Sequence, residues 1–99
     1  MIKLVALYKT PPDIADFEKH YFEKHIPLVQ KIPGLMKAEV SRLSGLPGQD
    51  SKYHLMAEMY FNNMDELNTG MASPEGKATA RDLMSFARDY VVMFYAEIE

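Results

Sequence analysis

The 99-residue sequence predicts an α+β fold of the ferredoxin-like kind, with elements in the order β-α-β-β-α-β, and three observations predict it. Four short runs read as strands, two longer stretches repeat apolar residues at helical spacing, and turn formers separate the pieces. That order gives an antiparallel four-stranded sheet with both helices on one face. No linker, repeat or low-complexity tract interrupts it, so one domain over residues 1–99 is expected.

Each element has a local cause. IKLVALY at 2–8 is a short apolar run of strand formers. TPPD at 10–13 breaks it and leaves Asp13 to cap a helix. In that helix Ile14, Phe17, Tyr21, His25, Leu28 and Ile32 fall on one face, and Pro33-Gly34 ends it. LMKAEVSRL at 35–43 and YHLMAEMYF at 53–61 read as a strand pair joined by the turn-rich GLPGQD. Asn63 with Glu66 has capping-box spacing and opens a short helix, MDELNTGM. Ser73-Pro74-Glu75 starts another, whose face carries Leu83, Phe86, Ala87 and Tyr90. VVMFYAEI makes the last strand.

The helices can cover only one face of such a sheet, yet the first and last strands are apolar on both. Ile2, Leu4, Ala6 and Tyr8 back onto Val5 and Leu7, and Val91, Met93 and Tyr95 onto Val92, Phe94, Ala96 and Ile98. Each apolar side chain buried stabilises by roughly 1.5–3 kcal/mol. A second copy of the sheet is the simplest cover, so a homodimer with sheets packed face to face is expected.

Composition narrows the chemistry. The net charge is −3 with both signs interspersed, so no basic stripe awaits nucleic acid. The longest strongly apolar run, YVVMFYA at 90–96, is too short to span a bilayer. The N-terminal MIKLVALY reads as a strand rather than a signal peptide, which makes a cytoplasmic location the expectation. Without cysteine there is no disulfide, thiolate nucleophile or cysteine-ligated metal. No phosphate loop, serine elbow, HEXXH pair or haem attachment motif occurs, and neither a cofactor nor a metal is expected.

His25 carries the main question. At about 100° per residue it sits roughly 40° from Tyr21, inside the apolar arc. Pro27 removes a backbone donor and should bend the helix just after His25, opening space above the sheet. His25 is thus either a general base facing a small-molecule pocket or a structural histidine bonded to a carbonyl or a tyrosine. His20, five residues away, should diverge from it on a flank shared with Lys24. His54 opens the third strand on the face of Met56, Glu58 and Tyr60, and is the candidate second acid–base group. Tyr8, Tyr21, Phe17 and Tyr60 are the candidate substrate contacts, or else core rings.

The stretches MIKLVALYKTPPD, FEKHYFEKHIPLVQKIPGL and MASPEGKATARDLMSFA, in that order, resemble the EthD family, named for a protein required in ethyl tert-butyl ether degradation. The resemblance implies a dimeric α+β barrel and an association with oxidoreductase functions, and it matches the family's HXP histidine to His25. Wider relatives on that barrel include lactone isomerases, polyketide cyclases, cofactor-independent monooxygenases and haem-degrading enzymes. One isomerase relative uses a cysteine that this chain lacks. Two readings stay open. In the first, the protein binds a small apolar carbonyl or phenolic compound and acts by cofactor-independent acid–base chemistry. In the second, it is a non-catalytic accessory or binding subunit of a partner oxygenase.

Overall fold

The structure, a computed structural model, describes residues 1–99. Strands β1 (Ile2–Lys9), β2 (Lys37–Arg42), β3 (Tyr53–Phe61) and β4 (Val91–Glu97) form one sheet in the order β2-β3-β1-β4, every pair antiparallel. Helix α1 runs through three parts, α-helical Ile14–His20, π-helical Tyr21–His25 and α-helical Ile26–Val29. Met64–Ala72 is α2 and Pro74–Ala87 is α3. This is the ferredoxin-like α+β arrangement the sequence predicts.

The caps act as their residue types require. Asp13 accepts the Asp16 N–H at 3.0 Å, Asn63 that of Glu66 at 2.8 Å, and Ser73 that of Gly76 at 3.0 Å. Only half of the expected capping box forms, because the Glu66 carboxylate takes the Asn62 amide instead. Between α2 and α3 the chain closes on itself. A Cβ on Gly76 would run into the Gly70 carbonyl and the Met71 backbone, so the helices need glycine there to approach.

Two irregularities displace residues from their expected places. In α1 the Ile26 N–H reaches back five residues to the Tyr21 carbonyl. Pro27 explains it: its ring clashes with the carbonyl four residues back, and a widened turn relieves that clash. The distortion therefore lies before His25 rather than after it. The extra residue in that turn brings Val29 onto the buried stripe of Phe17, Tyr21 and His25 and leaves Leu28 half-buried; Ile14, in the first turn of α1, is exposed. The second irregularity is a bulge between β1 and β3, where Tyr8 pairs with Leu55 but Lys9 with Tyr53. His54 is the extra residue.

The core lies between helices and sheet in two clusters, one around Tyr8, Tyr21, Leu55 and Leu83, the other around Leu4, Val29, Phe61 and Leu67. The far face of the sheet is uncovered. There Val92 and Phe94 stand 38% and 46% exposed, the two-sided apolar pattern read from the sequence. No helix is long and apolar enough to cross a membrane.

Candidate active site

His25 points inward from α1, and its side chain is 5% exposed. Its Nδ1 lies 3.0 Å from Oδ2 of Asp82 on α3. Asp82 is also held by His20, whose Nε2 is 3.0 Å from Oδ1 and 3.1 Å from Oδ2. One carboxylate thus serves two imidazoles. The divergence expected of His20 and His25 does not occur. Five residues along a regular α-helix put side chains about 140° apart, but the π turn lies between these two and narrows that angle. Phe86, one turn beyond Asp82, lies under both rings at centroid distances of 4.2 Å from His20 and 5.3 Å from His25.

The Asp82 contact selects a tautomer. A carboxylate only accepts, so Nδ1 of neutral His25 carries the hydrogen and Nε2 keeps the lone pair. Burial pushes the His25 pKa below its ordinary 6.5, against an opposing pull from the Asp82 hydrogen bond and charge. The imidazole is therefore neutral near pH 7, the state a base needs.

His25 lines a cavity of about 400 Å³ between α3 and the face of β1 and β4. The walls include Leu4, Ala6, Tyr8, Leu83 and Met93 with three further methionines, Met59, Met71 and Met84. None of the lining side chains is cationic or acidic. The pocket expected between α1 and the sheet is in fact walled by α3, with α1 supplying only the histidine. The reason is that the space under α1 is filled by Phe17, Tyr21 and Tyr8, packed edge-on or stacked at 5.2–6.1 Å.

Tyr8 is buried, and burial, the Tyr21 phenol and the nearby Asp82 charge all raise its pKa, so it is a neutral hydroxyl donor. Tyr21 is wholly buried behind it, and its hydroxyl finds no hydrogen-bond partner. Neither Tyr21 nor Phe17 lines the cavity.

His54 and Tyr60, also expected at the site, lie elsewhere. The bulge turns His54 toward α1, where its Nε2 meets Glu18 Oε2 at 2.6 Å, while Arg42 clamps the same carboxylate at 2.8 and 3.2 Å. Tyr60 follows the regular alternation of β3 onto the uncovered face. There it donates to Glu39 at 2.7 Å, which raises its pKa to about 12. Asp82 and His20 were missed as site residues. The available signal was a carboxylate immediately before the core residue Leu83 and one turn before Phe86, on the face of α3 that meets α1.

The EthD domain family matches residues 9–95. The chain belongs to the EthD family. An EthD-family protein from Bacillus halodurans C-125 is 42% identical and superimposes with a TM-score of 0.97, covering 100% of this chain and 99% of its own. An uncharacterized 11.0 kDa protein from the thcB–thcC intergenic region of Rhodococcus erythropolis is 34% identical over 100% of this EthD chain and 96% of its own. More distant structures share the fold. A dimeric ferredoxin-like protein of unknown function from Bacteroides fragilis has a TM-score of 0.67 at 20% identity, covering 98% of this chain and 95% of its own. The cofactor-independent oxygenase SnoaB from Streptomyces nogalater has a TM-score of 0.71 at 15% identity, covering 99% and 92%.

Proposed function

We propose that this EthD protein is a general-base enzyme that takes a proton from a small, neutral, mostly apolar carbonyl or phenolic compound, with His25 as the base. One observation carries the reading. A neutral imidazole, its tautomer set by Asp82, borders an apolar cavity that no other side chain fills. With Nδ1–H donated to Asp82, Nε2 accepts the proton from the carbon next to a carbonyl or from a phenol. The Asp82 charge stabilises the imidazolium that forms. The Tyr8 hydroxyl, kept neutral by burial, donates to the enolate or phenolate oxygen as charge develops there. Without a lining cation, a carboxylate or phosphate ester would lose its hydration without compensation, so the substrate is uncharged. The four methionines give a wall that adapts to flat rings of different outline.

The working unit is a homodimer, supported by the half-exposed apolar strip on the uncovered sheet face and by the dimeric fold relative. That strip gains most from a second sheet. Chemistry without a resident cofactor finds support in SnoaB, an oxygenase on the same fold. The open cavity speaks against a purely structural His25, because a non-catalytic histidine would more naturally sit in a filled helix–sheet interface.

The test uses deuterium exchange at the carbon next to the carbonyl of 2-tetralone and 1-indanone, and line broadening of 2-naphthol, all followed by NMR. Faster exchange with the wild type than with His25→Gln supports the assignment. Equal rates for both proteins on both ketones, with no 2-naphthol binding, overturn it.

A further inference from the structure

The proposed base does not stand alone with its carboxylate. We infer that His20 is a solvent-side positioning residue of the same site, which holds Asp82 against His25 and takes up the first proton of the pair, so that His25 stays a free base as the medium acidifies. This rests on the reading of His25 as the base.

The geometry supports it in three ways. First, Asp82 Oδ2 lies within hydrogen-bond reach of both imidazoles, at 3.0 Å from His25 Nδ1 and 3.1 Å from His20 Nε2. With both rings neutral, two N–H donors from one helix pin the carboxylate, which removes the rotation that would misalign His25. Second, the two rings differ in access. The His20 side chain is 34% exposed, against 5% for His25. It lines a separate surface hollow of about 270 Å³ with Asp13, Asp16 and Tyr90. A proton from solvent therefore meets His20 first, beside the carboxylates of Asp13 and Asp16. Third, Phe86 presents its ring to His20 at 4.2 Å, inside the range in which an aromatic ring favours a cation.

The consequence follows from sharing. Once His20 is charged it pairs with Asp82, and the carboxylate that would have stabilised a cation on His25 is already neutralised. A second proton on His25 then meets a positive neighbour, and His20 does oppose the charging of His25. The other ionisable groups around His25 are Asp82 from α3, Tyr8 from β1 and Tyr21 from its own helix, and neither phenol titrates near neutral pH. Around His20 they are Asp82, Asp13, Asp16 and Tyr90, with Lys24 one turn along α1. The two histidines therefore titrate as a coupled pair.

The experiment is an imidazole 15N NMR titration of wild type, His20→Gln and His20→Lys, which needs no substrate. The expected wild-type result is a His25 curve with an inflection at the His20 midpoint. In His20→Gln the glutamine amide still donates to Asp82, the inflection vanishes, and the His25 midpoint rises by about one pH unit. In His20→Lys a fixed cation lowers that midpoint. A His25 midpoint equal in all three proteins overturns the proposal. The pH profile of 2-tetralone exchange gives the second readout. His20→Gln should move its acid limb upward; an unmoved limb overturns the proposal. Coupled titration without any exchange activity would count against the proposed enzyme function and leave the pairing intact, so the two failures are distinguishable.

Discussion

Two histidine–carboxylate pairs each place one member on α1 and differ in their surroundings. His25–Asp82 is formed by an imidazole 5% exposed and a carboxylate whose partners are two imidazoles, beside an apolar cavity. His54–Glu18 has a shorter contact, 2.6 Å, but Arg42 holds the same carboxylate with two further bonds. A permanent guanidinium charge satisfies Glu18, which makes the carboxylate part of a structural clamp. That pair ties α1 to the β2–β3 edge. Asp82 has no such permanent cation, and its carboxylate is shared between two imidazoles, of which His25 lines the cavity. The contrast teaches that an imidazole near a carboxylate is a base candidate only when no permanent cation clamps that carboxylate and the ring borders a cavity.

The comparison breaks most clearly through kinetics. His25→Gln should lower the exchange rate of a responsive ketone by about 10²–10⁴-fold, and Asp82→Asn by a large part of that, since the amide can stabilise the wrong tautomer. His54→Gln should leave the rate unchanged, and a comparable fall there would erase the distinction between the pairs. Tyr8→Phe removes the oxyanion donor while keeping the ring, and a loss of about 10²-fold is expected, read from kcat with KM little changed.

Stability sharpens the contrast from the other side. Glu18→Gln should destabilise by about 1–2 kcal/mol, seen in denaturant midpoints, because it removes the negative charge and one of the two acceptor oxygens that His54 and Arg42 share, yet leave exchange activity intact. The pH windows differ as well. The His25 pKa is lower in the folded chain than its ordinary 6.5, so below 6.5 the unfolded chain binds the extra proton and stability falls as pH drops toward the folded value. The Glu18 pKa is also depressed, mainly by the Arg42 hydrogen bond, from an ordinary 4.5. Its contribution is complete above 4.5 and is lost only as the pH falls through the folded value. Thermal melts against pH should show an upper phase that His25→Gln abolishes and an acid phase that Glu18→Gln weakens. Tyr21→Phe is the mildest test. Removing a buried hydroxyl without a partner should leave stability unchanged or raise it by about 1 kcal/mol, and a fall in melting temperature would expose an acceptor.

Much of the fold was legible because its signals are local. Asp13, Asn63 and Ser73 cap helices through their own side chains, and alternation along β1 and β4 marks two apolar faces whatever else the chain does. His25 was legible for the same reason, lying four residues from Tyr21 and eight from Phe17 on one stripe. What misled the reading were departures from ideal periods. Pro27 announced a distortion, but that it would take the form of a π turn, bringing His20 round beside His25, is not written in a count of 100° per residue. The bulge at Lys9 likewise turned His54 toward α1 and away from the face its alternation indicated.

By itself the sequence determined the strands, the helices, their order and the inward direction of His25, because backbone sterics, capping and burial of apolar side chains act over a few residues. Only the tertiary structure decided what His25 meets. Asp82 lies 57 residues along the chain, and it becomes a partner because α1 and α3 lie side by side over one sheet. A carboxylate contact of 3.0 Å depends on the packing of whole elements, and no local period records that distance.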